Sequence, residues 1–197
     1  MGAILQSLGR TVIAGFVLLL IIIAFTAMMG GTAASMSHAW SAFFMRYLHV
    51  MSGVMWIGLL WYFNFVQMPS MPKIPDEQKP AIGKVIAPAA LFWFRWAALA
   101  TVVTGLLLGS MNGYIMQALT FDRAYLAIGI GMWLALIMAF NVWFIIWPNQ
   151  KKALGIVVVE AAEKAAAARL AMLTSRTNTL LSIPMLFCMV AQQNGGL

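Results

Sequence analysis

One histidine lies inside a long apolar stretch, in the segment RYLHVMSGVMWIG at residues 46–58. His49 precedes Gly53, Trp56 and Gly58 in a His-x3-Gly-x2-Trp-x-Gly pattern. Glycines on a helix permit close approach of a neighbouring helix or of a flat cofactor. A neutral imidazole at such a depth can ligate the iron of a b-type haem. An interhelical hydrogen bond from His49 is the alternative, and the sequence leaves both open.

The other histidine cannot complete the same site. His38 lies eleven positions before His49, which is about 16 Å along one helix. A haem on His49 would therefore be five-coordinate, or take a methionine or a ligand from another subunit. The sixteen methionines also permit copper ligation, although methionine more commonly fills apolar gaps. No group of His, Cys, Asp and Glu has metal-ligand spacing, and the lone Cys188 excludes a CxxCH haem-attachment motif.

Three more polar residues interrupt apolar runs. Arg95, in FWFRWAAL, either marks a helix end, where it would snorkel beside Trp93 and Trp96, or has a catalytic role. We expect Asn141 and Asn178 to form hydrogen bonds between helices. Asn178 also remains a catalytic candidate.

The composition is that of a membrane protein. Of 197 residues, 63% are hydrophobic and 9% are charged, whereas soluble domains carry about 25% charged residues. The net charge of +7 would indicate nucleic acid as a partner of a soluble protein. Here the basic residues lie between apolar runs, so the lipid bilayer is the expected partner and nucleic acid is not. The apolar runs contain no acidic residue, which argues against a proton-coupled transporter.

The apolar runs predict an all-α integral membrane protein, a single domain over residues 1–197 with a bundle of about five transmembrane helices. Each span needs about 20 apolar residues. The predicted spans are 11–30, 41–67, 88–112, 125–147 and 177–192. We expect a cytoplasmic helix at about 155–173, and the prolines of 67–80 to end the second helix.

Basic residues fix the expected orientation. Eight lie in the 2–3 and 4–5 connections (Lys73, Lys79, Lys84, Lys151, Lys152, Lys164, Arg169, Arg176), against Arg46 and Arg123 on the opposite side. Positive charge collects on the cytoplasmic side. The N-terminus is therefore predicted to be cytoplasmic and the C-terminus outside, with the first run a retained anchor and not a cleaved signal.

Four segments together resemble a known family. They are RYLHVMSGVMWIGLLWYFNF, LFWFRWAALATVVTGLLLG, NVWFIIWPNQKK and RTNTLLSIPMLFCMV, and in this order they resemble the membrane domain of the bacterial membrane-bound urate hydroxylase (urate oxidase) family over residues 41–191. The resemblance implies a multi-pass protein of the bacterial inner membrane with a redox role, and makes Asn149 and Gln150 candidates for substrate binding.

Departures from the family pattern shape the functional hypothesis. Members typically carry a C-terminal cytochrome c domain, and this chain is expected to be a short form without it. The family usually has histidine where this chain has Thr177, and a carboxylate where it has Ala97. Groups suited to proton transfer are therefore missing.

Two functions follow as expectations. The first is a non-catalytic or electron-relay subunit of a respiratory or redox membrane complex, partnered by other membrane subunits or by further copies of itself. The second is an oxidoreductase that acts on urate or a related purine and passes electrons to a separate cytochrome c. Its candidate residues are His49, Arg95, Asn149, Gln150 and Asn178, whereas the relay depends on His49, Gly53 and Gly58 as a haem site.

Overall fold

A computed structural model describes residues 2–30 and 37–195. The chain divides into two compact units, Met1–Phe44 and Met45–Leu197. Within the described residues all regular structure is helical and no strand occurs, so the predicted all-α class is confirmed.

The first unit contains a short helix α1, Gly2–Leu5, and the long helix α2, Leu8–Met28. No residue of α2 is buried, although almost all of them are apolar. A helix that is hydrophobic on every side is typical of a membrane span.

In the part of the chain that the structure describes, eight further α-helices follow α2. They are α3 His38–Trp61, α4 Met68–Ser70, α5 Lys79–Ala81, α6 Ala87–Met111, α7 Ile115–Leu119, α8 Leu126–Phe140, α9 Trp147–Ala153 and α10 Ala161–Asn194. Hydrogen bonds between side chains and backbone tie α3 to α6 and α8 to α10.

Among the described residues, four helical segments are long and apolar enough to cross a membrane: Leu8–Met28, His38–Lys73, Lys79–Met111 and Arg123–Ala153. They coincide with the first four predicted spans. The fifth predicted span, 177–192, lies within α10, which is not among them. The apolar stretch of α10 is short, because it is bounded by Arg176 and Asn178 on one side and by Gln192 on the other.

Three π-helical turns keep these segments continuous where proline should interrupt them. The π-helices are Tyr62–Gln67, Ile82–Ile86 and Asn141–Ile146; the prolines Pro69, Pro88 and Pro148 each follow one by two residues. Proline lacks an N–H, and its ring clashes with the carbonyl four residues earlier. A wider turn relieves that clash and leaves the next helix intact. The expected break after residue 67 was therefore wrong, since helical structure runs on to Lys73.

The predicted cytoplasmic helix begins later than expected. Gly155, with φ +75, follows α9, and Glu160 is an extended N-cap of α10. The β-branched run Val157–Val159 between them is not helical, as its low helix propensity permits. From Ala161 onward the predicted helix and the predicted fifth span form one helix of 34 residues.

The second unit contains a buried apolar core. Trp56, Leu60, Phe94, Met138 and Val142 have at most 1% of their surface exposed, and they belong to one cluster from α3, α6, α8 and the following π-turn. Toward the start of α3 this packing gives way to a cavity.

Candidate cofactor site

His49 is fixed by a hydrogen bond between helices. Its Nδ1 lies 2.9 Å from the carbonyl oxygen of Thr101 and 3.3 Å from Oγ1 of Thr104, both on α6. A carbonyl can only accept, so Nδ1 carries a proton, and in the neutral imidazole Nε2 then carries the lone pair. The interhelical hydrogen bond expected from sequence is present, and it leaves Nε2 available for a ligand.

Gly105 allows the imidazole to lie against α6. A Cβ at this position would stand 2.8 Å from Cε1 of His49, closer than real side chains approach. Sequence motifs indicated Gly53 and Gly58, whereas Gly105 was missed. The segment TVVTG at 101–105 supplies the carbonyl, the hydroxyl and the open surface together, so a search for small residues facing His49 would have found it.

A cavity of about 610 Å³ adjoins His49. Helices α3, α6, α8 and α10 form its walls, and Gly53 and Gly58 line it as the haem hypothesis requires. Most other lining side chains are apolar, among them Val50, Ile57, Val102, Leu106, Leu136 and Leu186. Volume and lining are both ordinary for a small-molecule or cofactor pocket.

Polar side chains also line the cavity. Arg46, one turn before His49, contributes a guanidinium, Tyr114 a phenol, and Gln193 and Asn194 of α10 two amides. Burial raises the pKa of Tyr114, while the positive charge of Arg46 opposes that rise. No acidic residue is among those that line the cavity in the described part of the chain.

These residues fit a b-type haem. The oriented imidazole resembles the arrangement in which the second ring nitrogen of an iron-ligating histidine donates to a carbonyl. Covalent c-type attachment does not fit, because Cys188 is buried and its Cβ lies 3.1 Å from where a Cβ on Gly131 would be.

Methionines from two other helices supply candidates for a second axial ligand. Met132 of α8 and Met185 and Met189 of α10 line the cavity. Met51 and Met55, the pair noted in sequence one turn apart on α3, have 47% and 45% of their surface exposed and do not line it. A methionine partner from the described chain can therefore come only from facing helices.

Arg95 has a different environment from the one expected. Only 9% of its surface is exposed, and its guanidinium carbon lies 3.3 Å from the ring centroid of Trp147. Nε and Nη1 are enclosed and have no hydrogen-bond partner among the described residues. The guanidinium thus lies against the face of Trp147, whereas Trp93 and Trp96 are exposed.

The two asparagines of the spans pair with each other. Nδ2 of Asn141 donates to Oδ1 of Asn178 over 2.8 Å, and Nδ2 of Asn178 donates to the carbonyl of Met138 over 2.9 Å. Asn178 is fully buried. Its amide is therefore committed to joining α10 to the end of α8, as a packing role predicts.

The remaining candidates do not join His49. Nδ2 of Asn149 donates to the carbonyl of Ile145 in its own helical segment. Gln150 lines a second cavity of about 60 Å³ with Gln67 and Ser175. Neither Arg95 nor Asn178 lines either of these cavities, so none of the four lines the cavity beside His49.

Comparison with known proteins supports the resemblance over part of the chain. Residues 107–195 match the family model described as urate oxidase N-terminal, and this is the family that the sequence motifs indicated. The matched segment includes α7 to α10 but not His49. No curated protein and no solved structure matches the chain significantly.

Proposed function

We propose that this chain, whose residues 107–195 match the urate oxidase N-terminal family, is a membrane subunit that relays electrons within a respiratory or redox complex. The relay would be a b-type haem on Nε2 of His49. One observation carries the proposal: His49 is held by the Thr101 carbonyl beside a cavity of about 610 Å³.

The packing of α10 supports a fifth span. Asn178 bonds to Met138 near the end of α8, and Gln192 bonds to Ile128 and Ala124 near its start. Residues 178–192 therefore run antiparallel beside α8 over its length. If Arg123–Ala153 crosses the bilayer, this part of α10 crosses with it. Polar side chains of α10 would be unfavourable in contact with lipid, and their hydrogen bonds to α8 remove that contact.

Orientation and location follow from charge and family. Eight basic residues in the 2–3 and 4–5 connections favour a cytoplasmic N-terminus. The resemblance seen in the sequence motifs implies the bacterial inner membrane. The expected partners are other membrane subunits or further copies of this chain, and a cytochrome c as electron acceptor.

The chain's own residues would hold and tune the haem. A haem supplies reversible one-electron transfer. Thr101 fixes the imidazole tautomer, and a methionine of α8 or α10, or a partner's residue, would be the second protein group to hold the haem. The apolar walls would limit the access of water to the haem, which is one of the means by which proteins set a haem potential.

Reconstitution with haem tests the proposal. The full chain in mild detergent would be titrated with haemin beside His49→Ala and His38→Ala. We expect one haem per chain in the wild type and in His38→Ala, and loss of saturable binding in His49→Ala. A wild type that binds no haem, or a His49→Ala variant that binds it equally well, would refute the relay.

The family match also supports a second function, in which the chain oxidises urate and reduces a separate cytochrome c. The absence of Arg95, Asn149, Gln150 and Asn178 from the lining of the His49 cavity argues against it. Urate-dependent reduction of added cytochrome c, abolished in His49→Ala, would support this function. Absence of urate turnover with every acceptor tried, in a haem-loaded chain, would exclude it.

A further inference from the structure

We propose that Arg46 and Tyr114 form a carboxylate-binding end of the cavity, which seats the haem with its propionates toward the start of α3. This inference rests on the proposed function, because it specifies the orientation of the ligand in the same cavity. It assigns a binding role to two residues that were not among the candidate site residues named from sequence.

Arg46 is a cation without a counter-ion among the described residues. It lines the cavity, and its Nε is enclosed without a hydrogen-bond partner there. The ion pairs in the described part of the chain are Lys79–Asp76 and Lys152–Glu163, and none of these four residues lines the cavity. A partly enclosed charge with an unmet donor is unfavourable unless an anion meets it. The guanidinium fork suits a carboxylate.

Tyr114 supplies a neutral donor at the same end. Its ring stacks on Tyr125 with centroids 5.4 Å apart, which holds the phenol in place. Because burial raises the pKa of Tyr114, the hydroxyl keeps its proton at neutral pH. It can therefore donate to a carboxylate and does not repel it.

The amides of α10 extend this group of donors. Gln192 bonds to Ala124 and Ile128 at the start of α8, close in sequence to Tyr125, so the adjacent Gln193 and Asn194 reach the cavity near Tyr114. Both line it. This end thus gathers a guanidinium, a phenol and two amides, with no acidic side chain from the described residues.

The other end of the cavity offers no charged group within the described chain; the indole N–H of Trp56, which lines the cavity, is enclosed without a partner but is a neutral donor. Trp61 lines it there, but its Nε1 already donates to Oγ of Ser182 over 3.0 Å. The neighbouring lining residues Gly58 and Met185 are uncharged. A flat apolar ligand with carboxylates along one edge matches this asymmetry, and its acidic edge would face the end of the bundle where α3 begins.

Haemin and its dimethyl ester together test this orientation. The ester keeps the iron and the ring but lacks carboxylates, so it measures the contribution of that edge alone. The wild type, Arg46→Gln, Arg46→Lys and Tyr114→Phe would be titrated with both. Arg123→Gln is the control, because it removes the same charge from an exposed position outside the cavity.

We expect the wild type to prefer haemin over its ester, and Arg46→Gln to lose that preference by about tenfold or more, a size consistent with a charged hydrogen bond. Arg46→Lys should recover part of it, Tyr114→Phe should show a smaller loss, and Arg123→Gln should match the wild type. The rate of haemin transfer to apomyoglobin should be highest in Arg46→Gln, lower in Arg46→Lys and Tyr114→Phe, and equal to the wild-type rate in Arg123→Gln.

The outcomes separate the two proposals. If the wild type and Arg46→Gln both bind haemin through His49, and both prefer haemin over the ester to the same extent, this inference is wrong and the relay proposal stands. If the wild type binds neither compound, both are wrong. Should Arg46→Gln fail to fold, equal preference in Tyr114→Phe and in Arg46→Lys would likewise overturn the inference.

Discussion

Gly105→Ala is the substitution that tests the cofactor site through the structure most sharply. The added methyl would lie 2.8 Å from Cε1 of His49, whereas carbon atoms in contact prefer about 3.5–4.0 Å. Since the clash is with a side chain and not with backbone, the imidazole would move away from α6 by roughly 0.7–1.2 Å.

That movement would break the bond that orients the ring. From its present 2.9 Å, the distance from Nδ1 to the Thr101 carbonyl would exceed the hydrogen-bonding range of about 2.7–3.2 Å. The direct loss is about 0.5–1.5 kcal/mol. Removing the second hydrogen bond of a metal-ligating histidine typically weakens metal binding by about 10–100-fold, and we expect haemin affinity to fall within that range.

Gly109→Ala is the matched control for Gly105→Ala. It lies one turn further along α6, and its Cβ would make an ordinary contact of 3.5 Å with Tyr114. Both variants gain about 0.8–1.0 kcal/mol of helix propensity, so neither should unfold.

Haemin titration and the absorption spectrum would be compared across both variants and the wild type. If Gly105→Ala binds haemin with unchanged affinity and an unchanged spectrum, the close approach of His49 to α6 has no bearing on the cofactor and the reasoning fails.

Three other predictions concern stability and ionisation. Asn178→Ala should lower the free energy of unfolding by about 1–3 kcal/mol, because it leaves the buried hydrogen-bond partners of Asn178 unsatisfied. Thermal denaturation in detergent measures this effect. An effect no larger than that of Thr177→Ala, at an exposed position, would contradict the prediction. Gly129→Ala should destabilise the chain by about 1–3 kcal/mol, because its Cβ would collide with the backbone carbonyl of Ala118; a melting temperature equal to the wild type would count against that contact. The pKa of Tyr114 is raised, so the contribution of its neutral phenol to stability should be complete below about pH 10. That contribution should decline as the pH rises through the folded-state pKa. Spectrophotometric titration at alkaline pH should show a late-ionising tyrosine that Tyr114→Phe removes.

The membrane helices could be predicted because the relevant information is local. Long apolar runs require backbone hydrogen bonds within the segment, so the spans around α2, α3, α6 and α8 were recognisable from composition alone. Polar residues in those runs were informative for the same reason. Asn141 and Asn178 each required a hydrogen-bond partner in an apolar environment, and their side-chain amides bond to each other.

The helix boundaries were harder to predict, since they depend on backbone adjustments that composition does not encode. Pro69 is preceded by a π-turn that preserves the helix, where a proline rule predicted an end. Gly155 adopts a left-handed conformation that delays α10 until Ala161. A generic propensity for helix over 155–173 could not anticipate that local turn.

The cavity was the least predictable feature, because it is assembled from residues distant in sequence. His49 was recognisable as a buried imidazole in an apolar run. Arg46, Gly105, Tyr114 and Met132 acquire their roles only when α3, α6 and α8 pack together. No single segment contains the pattern, so the sequence indicated one ligand of the site but not its walls or its charged end.

The reduced-minus-oxidised absorption spectrum of the full chain, purified in mild detergent from haem-replete cells, tests the central claim most directly. We expect an α-band of b-type haem that is present in His38→Ala and absent in His49→Ala. A featureless spectrum from the wild type, or an identical band in His49→Ala, would contradict it.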